Sequence, residues 1–294
     1  MALTEAAAGT SEMPTFTTSD GGTLVYEITG EGPLLVLTPG GREGRAVLAP
    51  LNALLTEHFR VLSWDRRNTG GSTLCLDGTR SEQAIWSQDL VELVSALDFG
   101  PAWIAGGSAG CRVSLNAVLR DPAIARGLLL WSASGGNYGS QFLGFNYHVP
   151  YIVAAQAGGM EAVAKTPFFA ERITANPLNR AILMEQDPDA FIAAMKFWNE
   201  SFYPSPGQPL AGIEGDLTTI AVPTLIFEGN DDIHPAEAAQ ELARRIAGST
   251  LVPSPWSGRE FMAILTGQVP GSVFDVYPQL VPGILDFVRR APAP

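Results

Sequence analysis

The segment that most restricts the fold of this chain is a short strand, a glycine-rich turn and a helix, centred on Ser108. Residues 102–105 are apolar and suit a buried strand, residues 106–110 read GGSAG, and residues 111–119 have a helical composition. In a G-x-S-x-G turn the outer glycines let a strand bend abruptly into a helix. The central serine is then exposed at the carboxyl end of the strand, above a helix N-terminus. The segment therefore predicts a strand-turn-helix unit with Ser108 as a candidate nucleophile.

Strand-like and helix-like segments alternate along the rest of the chain. Thr23–Thr29 (TLVYEIT) and Leu34–Thr38 (LLVLT) are separated by the turn sequence GEGP, so we expect a hairpin. Residues 59–64, 127–132 and 224–228 predict further strands. This alternation is typical of a mostly parallel sheet flanked by helices, so we predict the α/β class.

About 90 residues separate the strands at 127–132 and 224–228, which is far longer than an ordinary crossover. We assign residues 134–217 to an inserted helical cap, and residues 1–133 and 218–294 to the α/β core. Of the 26 aromatic residues (14 Phe, 6 Trp and 6 Tyr), 12 lie within residues 135–205. Most of these rings should pack the inserted segment, but the enrichment predicts that some of them line a pocket for an apolar or aromatic ligand.

Charge and composition limit the classes of partner. The net charge of −12, from 18 Lys plus Arg and 30 Asp plus Glu, provides no basic surface for nucleic acid or an anionic membrane. No apolar run approaches the roughly 20 residues of a membrane span, and the first residues lack signal-peptide features. Cys75 and Cys111 are expected to be unpaired. We expect a cytoplasmic protein that binds a small molecule without a metal or nucleotide cofactor; whether it forms a homodimer is left open.

Three further segments give the serine turn its context. Residues 34–41 read LLVLTPGG, residues 64–72 read WDRRNTGGS and residues 229–235 read GNDDIHP. Together with the turn, they resemble the α/β-hydrolase superfamily over nearly the whole chain: an oxyanion-hole strand and loop, a D-x-R-x-x-G-x-S segment, and the loop that carries the acid of a catalytic triad. For Asp65 and Arg67 we expect a structural ion pair or turn network.

The resemblance implies a role for individual residues. Ser108 Oγ would attack an acyl carbon, while the backbone N–H groups of Gly41 and Ala109 would form an oxyanion hole. The family places the acid three residues after the glycine of its loop, which is Asp232 here, and that residue would orient a base. Its neighbour Asp231 is the better candidate for capping the following helix.

The histidine that the family uses as the base is missing from its usual place. It follows the last strand, in a loop that reads glycine then histidine. The corresponding residues 251–261 read LVPSPWSGREF, so Gly258 matches the glycine and Arg259 takes the place of the histidine. Arginine keeps its proton up to a pKa above about 12, so it cannot accept one from the serine. Either another residue is the base or the reaction differs.

Several residues could fill this role. His234, two residues after Asp232, is the base that we place in the catalytic set. His148, in FNYHVPY, and Glu260 are alternatives, whereas His58 is expected to be a surface or capping residue. The remaining interpretation is that no base exists.

Arg259 itself has two interpretations. It could pair with a carboxylate or enolate of a substrate at the mouth of the pocket, or it could pair with Asp232 and fill the vacancy. The candidate substrate-binding residues are Arg259, His148, Tyr147, Trp198 and Trp256.

These observations favour an α/β-hydrolase-fold enzyme that acts on an ester, lactone or C–C bond of an apolar or aromatic small molecule, through Ser108 and a non-standard base. Two alternatives stay open. One is a lyase or isomerase of secondary metabolism, and the other is a catalytically inactive small-molecule binding protein; both would use the same oxyanion pocket.

Overall fold

A computed structural model describes the backbone of residues 3–4 and, in full, residues 13–204, 209–210 and 212–291. Within these residues a nine-stranded sheet forms the centre of the molecule. Its strands are β1 (Leu3–Thr4), β2 (Thr15–Thr17), β3 (Thr23–Thr29), β4 (Leu34–Thr38), β5 (Arg60–Trp64), β6 (Ala102–Gly107), β7 (Ala125–Trp131), β8 (Thr224–Phe227) and β9 (Thr250–Val252).

The spatial order of the strands is β1-β2-β3-β5-β4-β6-β7-β8-β9. Every neighbouring pair from β5 through β9 is parallel, and only the pairs at the β1 edge are antiparallel. The predicted α/β class with a mostly parallel sheet is therefore confirmed.

The hairpin expected between β3 and β4 is wrong, because β5 lies between them. Tyr26 of β3 is opposite Trp64 of β5 in an antiparallel pair, and Leu34 of β4 is opposite Arg60 in a parallel pair. Every residue of β4 is buried, so this strand takes an interior position with a parallel neighbour on each side. The intervening glycine-rich loop is a connection between strands that do not pair.

Helices cover both faces of the sheet. Those of the core are α1 (Ala49–Leu55), α2 (Glu82–Leu97), α3 (Ala109–Arg120), α8 (Ala236–Arg245), α9 (Gly258–Leu265) and α10 (Val281–Arg290). Leu34 and Val36 of β4 belong to one apolar cluster, and Leu35 and Leu37 to another, so alternate side chains pack on opposite faces. None of the helices in the described ranges is long and apolar enough to cross a membrane.

Four helices lie between β7 and β8, where the sequence predicts an insertion. They are α4 (Gly136–Ala164), α5 (Pro167–Ala175), α6 (Leu178–Met184) and α7 (Pro188–Ser201). Rings of Tyr151, Phe168, Phe169 and Phe191 contact one another at centroid distances of 5.1 to 5.9 Å and form a core for this segment. Residues 205–208 and 211 of the predicted cap, and residues 1–2, 5–12 and 292–294 of the predicted core, lie outside the described residues.

The loop after β5 is fixed by two separate networks. Asp65 accepts a hydrogen bond from the Arg45 backbone N–H at 2.6 Å, whereas Arg67 pairs with the buried Asp89 and with Asp20 at 2.9 Å. Asp65 and Arg67 both stabilise this loop, as expected, but they pair with different residues rather than with each other. The two cysteines are unpaired, as predicted.

Candidate active site

Ser108 occupies a strained backbone position between β6 and α3. Its φ of 53° and ψ of −116° lie in a region that non-glycine residues rarely adopt, at a cost of about 1–3 kcal/mol. The Ser108 N–H donates to the Trp131 carbonyl oxygen at 3.1 Å, and its own carbonyl accepts from the Cys111 N–H at 3.0 Å. The surrounding backbone therefore holds the bend, and strain of this kind is common at active sites.

The glycines of this turn are required by close backbone approaches. A methyl group on Gly106 would lie 2.3 Å from the Gly110 carbonyl oxygen, and one on Gly110 would lie 2.4 Å from the carbonyl oxygen of Thr38 in β4. Both distances are well below 3.0 Å, and in each case the oxygen belongs to the backbone. No movement of a side chain would relieve such a clash. The two glycines thus allow α3 to start directly against the end of β4.

His234 contacts the hydroxyl of Ser108. Its Nε2 lies 2.9 Å from Ser108 Oγ, and its Nδ1 lies 2.9 Å from Oδ2 of Asp231. Because a carboxylate only accepts hydrogen bonds, Nδ1 carries the proton in this arrangement and Nε2 is free to accept one from the serine. His234 as a residue is 4% exposed, so this chain of hydrogen bonds is shielded from solvent.

Asp231 is held in place by its own loop. Its Oδ1 accepts hydrogen bonds from the backbone N–H groups of Ile233 and His234, each at 2.9 Å. Burial alone would raise the pKa of this carboxyl, whose side chain is 1% exposed, but the hydrogen bonds and the positive charge of a protonated His234 outweigh burial and lower it. Asp231 is therefore a carboxylate at neutral pH.

The carboxylate that contacts His234 belongs to Asp231 and not to Asp232, the residue that the sequence predicts as the acid. The Asp231 side chain folds the loop into a tight turn, which brings His234 over the Asp231 carboxylate. Asp232, on the outside of this turn, is exposed and lines an outer cavity together with Arg259. Counting three residues from the glycine of the loop selects Asp232 instead of Asp231. The feature of the sequence that indicates Asp231 is its position three residues before His234, which lets one turn bring the two side chains together.

The loop after β9 does not supply a base. A methyl group on Gly258 would lie 1.9 Å from the Asn230 carbonyl oxygen, so this glycine is required for α9 to pack against the loop that carries Asp231. The exposed Arg259 forms no ion pair with any described residue, Asp232 included, and does not line the cavity at Ser108. What this region contributes is Phe261, whose ring packs edge-on against His234 with centroids 5.4 Å apart.

A cavity of about 310 Å³ opens above Ser108. Besides Ser108 and His234, its wall is formed by Gly40, Gly41, Glu43, Phe142, Leu143, Asn146, Tyr147, Ile233, Phe261, Leu265, Val273, Phe274 and Tyr277. Aliphatic and aromatic side chains from α4, from α9 and from the 3-10 helix Val273–Leu280 dominate this wall. The sequence identified only Tyr147 among its aromatic residues.

The two residues predicted to form an oxyanion hole lie beside the serine. Ala109 is the first residue of α3, where backbone N–H groups have no partner within the helix. Gly41 lines the cavity with a φ of 53°, and a methyl group on its neighbour Gly40 would lie 3.1 Å from Cβ of Ser108. The loop after β4 and the start of α3 thus meet at Ser108.

His148 does not reach the cavity. It is fully buried, with Nδ1 3.0 Å from the Gly144 carbonyl oxygen and Nε2 3.3 Å from Nη2 of Arg42. Burial and the positive charge of Arg42 lower the pKa of His148 to about 3. The structure gives no support to the predicted role of His148 in substrate binding or chemistry, because its Nε2 contacts Arg42 and the residue does not line the cavity at Ser108.

Trp198 and Trp256 are also absent from the cavity wall. Trp198 is 1% exposed, packs in the apolar cluster under the inserted helices, and donates from Nε1 to the Arg80 carbonyl oxygen at 2.8 Å. Trp256 stacks on Tyr277 on the other face of the sheet. Both were expected to bind substrate, but their large apolar surfaces are used in the core instead.

Two other residues considered as bases are exposed. Glu260 belongs to the first turn of α9, and its N–H donates to the Ser257 hydroxyl at 3.4 Å. His58 lies in the turn before β5, as expected for a surface residue. Of the candidates named from the sequence, His234 is the one that contacts Ser108.

The chain is similar to known proteins over most of its length. A profile described as the Alpha/beta hydrolase family matches residues 35–259. The chain is 27% identical over 255 residues to a putative carbamate hydrolase RutD from Caulobacter sp. (strain K31), covering 81% of this chain and 89% of that protein.

Among solved structures, a hydrolase from Pseudomonas aeruginosa PA01 superposes with a TM-score of 0.63 at 24% identity, over 96% of this chain and 99% of that one. The enol-lactonase from Burkholderia xenovorans LB400 superposes with a TM-score of 0.61 at 22% identity, over 94% and 100%. At these identities the superpositions establish the shared fold.

Proposed function

Because the chain belongs to the α/β hydrolase family, we propose that it is a serine hydrolase of small esters or lactones in which Ser108, His234 and Asp231 form the catalytic triad. The observation that carries this proposal is the 2.9 Å contact between His234 Nε2 and Ser108 Oγ. A nucleophile and a base within hydrogen-bond distance, with the base oriented by a carboxylate, are the requirements for acyl transfer.

In the first half of the reaction Ser108 Oγ forms a bond to the acyl carbon while His234 Nε2 takes the hydroxyl proton. Asp231 stabilises the resulting imidazolium and keeps its ring in the reactive orientation. The carbonyl electron pair moves onto oxygen, where the N–H groups of Gly41 and Ala109 donate hydrogen bonds to it. Collapse of this tetrahedral intermediate re-forms the carbonyl and breaks the bond to the leaving oxygen, which takes the proton from His234, and an acyl-enzyme remains.

In the second half, water attacks the acyl carbon of Ser108 and gives a proton to His234. Collapse of the second tetrahedral intermediate breaks the bond to Ser108 Oγ, which takes the proton back. The products are a carboxylic acid and an alcohol, or a hydroxy acid if the substrate is a lactone.

The cavity supports a small and mostly apolar substrate. Its volume of about 310 Å³ is at the lower end of the range for small-molecule sites. The names of two similar proteins, a carbamate hydrolase and an enol-lactonase, agree with cleavage at an acyl carbon.

The lyase, isomerase and binding-protein alternatives were motivated by a missing base. With His234 beside Ser108 and Asp231 beside His234, that motivation is removed, and no contact in the cavity favours any of the three over hydrolysis.

A fluorophosphonate probe tests the proposal directly. We expect the wild-type protein to gain the mass of one probe at Ser108, and Ser108→Ala to gain none. Wild type should also hydrolyse p-nitrophenyl acetate and butyrate, with at least 10³-fold loss in Ser108→Ala, on the order expected for removing a nucleophile. A wild-type protein that neither reacts with the probe nor turns over these esters would contradict the proposal.

A further inference from the structure

The hydroxyl of Tyr147 faces the cavity of Ser108 and has no hydrogen-bond partner among the described residues. The ring is half-buried and is fixed from two sides, by Phe202 in an edge-on contact of 5.8 Å and by the Arg42 guanidinium 5.4 Å from its centroid. Its oxygen makes no hydrogen bond to any residue in the described ranges. The hydroxyl is therefore available to a molecule that binds in the cavity.

This hydroxyl lies against the loop that we assign to the oxyanion hole. A methyl group on Gly41 would be 3.3 Å from Tyr147 Oη, and one on Gly40 would be 3.1 Å from Cβ of Ser108. The Tyr147 hydroxyl and Ser108 thus lie against adjacent residues of this loop. The hydroxyl faces the same cavity as Ser108 and Gly41.

Arg66 fixes the same loop from behind. Its Nη2 donates to the carbonyl oxygens of Gly40 at 3.2 Å and Gly41 at 3.0 Å. The side chain is fully buried, and its Nε and Nη1 have no hydrogen-bond partner in the part of the chain that the structure describes. A buried guanidinium with unused donors favours negative charge nearby.

Positive charge is concentrated behind Tyr147. Arg42, Arg66 and Arg112 are all buried; Arg42 pairs with Glu82 at 2.6 Å, whereas Arg66 and Arg112 form no ion pair with any described carboxylate. Burial raises the pKa of Tyr147 to about 12, although the three guanidinium charges act in the opposite direction. The phenol therefore keeps its proton and can donate it in a hydrogen bond.

We propose that Tyr147 is a third oxyanion donor, whose O–H donates to the oxygen that becomes negative in the tetrahedral intermediate, and that Arg66, bound to the carbonyl oxygens of Gly40 and Gly41, stabilises this charge from behind. The inference rests on the proposed function and extends it by one catalytic residue. Ser108 Oγ bonds to the acyl carbon, the carbonyl electron pair moves to oxygen and the serine proton moves to His234. Tyr147 keeps its own proton throughout.

The test compares two tyrosines of α4. Tyr147→Phe keeps the packed ring and removes the hydroxyl, so kcat for p-nitrophenyl butyrate should fall about 10- to 100-fold. This is less than the loss of about 10²- to 10³-fold for an oxyanion-hole donor that is shielded from water, because Tyr147 is half-buried. KM should change by less than about threefold, since the hydrogen bond strengthens only with charge. Tyr138→Phe removes a hydroxyl from a side chain that is 60% exposed and lies outside the Ser108 cavity, and it should behave as wild type.

A transition-state analogue adds an independent readout. An alkyl trifluoromethyl ketone adds to Ser108 Oγ and forms an oxyanion, so its Ki should rise in Tyr147→Phe by the same factor by which kcat falls. The Ki of the corresponding uncharged amide, which stays planar, should be unchanged. Circular dichroism melting confirms that the variant is folded.

Three results would overturn the inference. Unchanged kcat and unchanged ketone Ki would exclude Tyr147 as an oxyanion donor, and a raised KM with unchanged kcat would make it a contact of the ground-state substrate. In either case fluorophosphonate labelling of wild type at Ser108 would leave the proposed function intact. A wild-type protein that shows neither this labelling nor ester turnover would remove both the inference and the proposed function.

Discussion

Two buried histidines, His234 in the loop after β8 and His148 in α4, have similar exposure but different surroundings. Each has Nδ1 next to an acceptor: the Asp231 carboxylate at 2.9 Å for His234, and the Gly144 carbonyl oxygen at 3.0 Å for His148. The difference is at Nε2. His234 Nε2 faces a hydroxyl that can give up a proton, whereas His148 Nε2 faces a guanidinium that keeps its own.

This comparison shows that burial and tautomer do not make a histidine a base. A base needs an acidic proton in front of its free nitrogen and a negative charge behind the other one. Arg42 blocks the first requirement at His148, and its charge helps to lower the pKa of that ring to about 3. Of these two histidines, only His234 has both a hydroxyl at Nε2 and a carboxylate at Nδ1.

The largest expected effect comes from removing each histidine in turn. His234→Ala should lower kcat/KM for p-nitrophenyl esters by about 10⁵- to 10⁶-fold, as for loss of the base in a serine triad. His148→Gln should retain most of the activity of each folded molecule, because no atom of His148 faces the cavity. Steady-state kinetics on both variants decides; equal losses would end the distinction between the two histidines.

The next effect concerns the carboxylate behind His234. Asp231→Asn should lower kcat about 10³- to 10⁴-fold, because an amide can donate to Nδ1 and favour the unreactive tautomer. The adjacent Asp232→Asn is the matched control and should stay close to wild type, since Asp232 is exposed and lies outside the Ser108 cavity. If Asp232→Asn is instead the inactive variant, the sequence-based assignment of the acid was right.

Stability below neutral pH probes His148. Its pKa falls from 6.5 to about 3 on folding, so only the unfolded chain binds this proton between those values. The part of the free energy of unfolding that depends on a neutral His148 is fully present above about pH 6.5. It is lost as pH falls toward 3, at up to about 1.4 kcal/mol per pH unit. Urea unfolding at pH 7 and pH 5 should show a loss in wild type about 2 kcal/mol larger than in His148→Gln, which cannot titrate. An equal loss of stability in wild type and in His148→Gln would show that folding does not lower the pKa of His148.

The smallest effect tests what holds the His234 ring. Phe261→Leu removes the edge-on aromatic contact, which is worth about 1 kcal/mol, so kcat should fall about three- to tenfold. Phe287→Leu makes the same change at a ring that packs against Trp103, away from the cavity, and should lower thermal stability without lowering kcat. A loss of kcat in both variants would point to a general loosening of the fold.

Much of the fold and one part of the site could be predicted from the sequence. The alternation of strands and helices gave the parallel sheet, and the glycines at 106 and 110 identified the bend at Ser108. These features are local, because they follow from backbone sterics over a few residues. The position of β5 between β3 and β4 was not predictable in this way. It depends on β4 being buried on both faces in the interior of the sheet, which is a property of the whole sheet.

The sequence by itself determined a strained serine at the start of α3, beside glycines that let two backbone segments meet. Tertiary structure alone decided its partners: His234 is 126 residues away along the chain, and the turn that chooses Asp231 over Asp232 depends on hydrogen bonds within a packed loop. It also placed Trp198, Trp256 and His148 in the core and left Tyr147 at the cavity. The physical reason is that residue type limits which chemistry a side chain can perform, whereas long-range packing decides which atoms face each other.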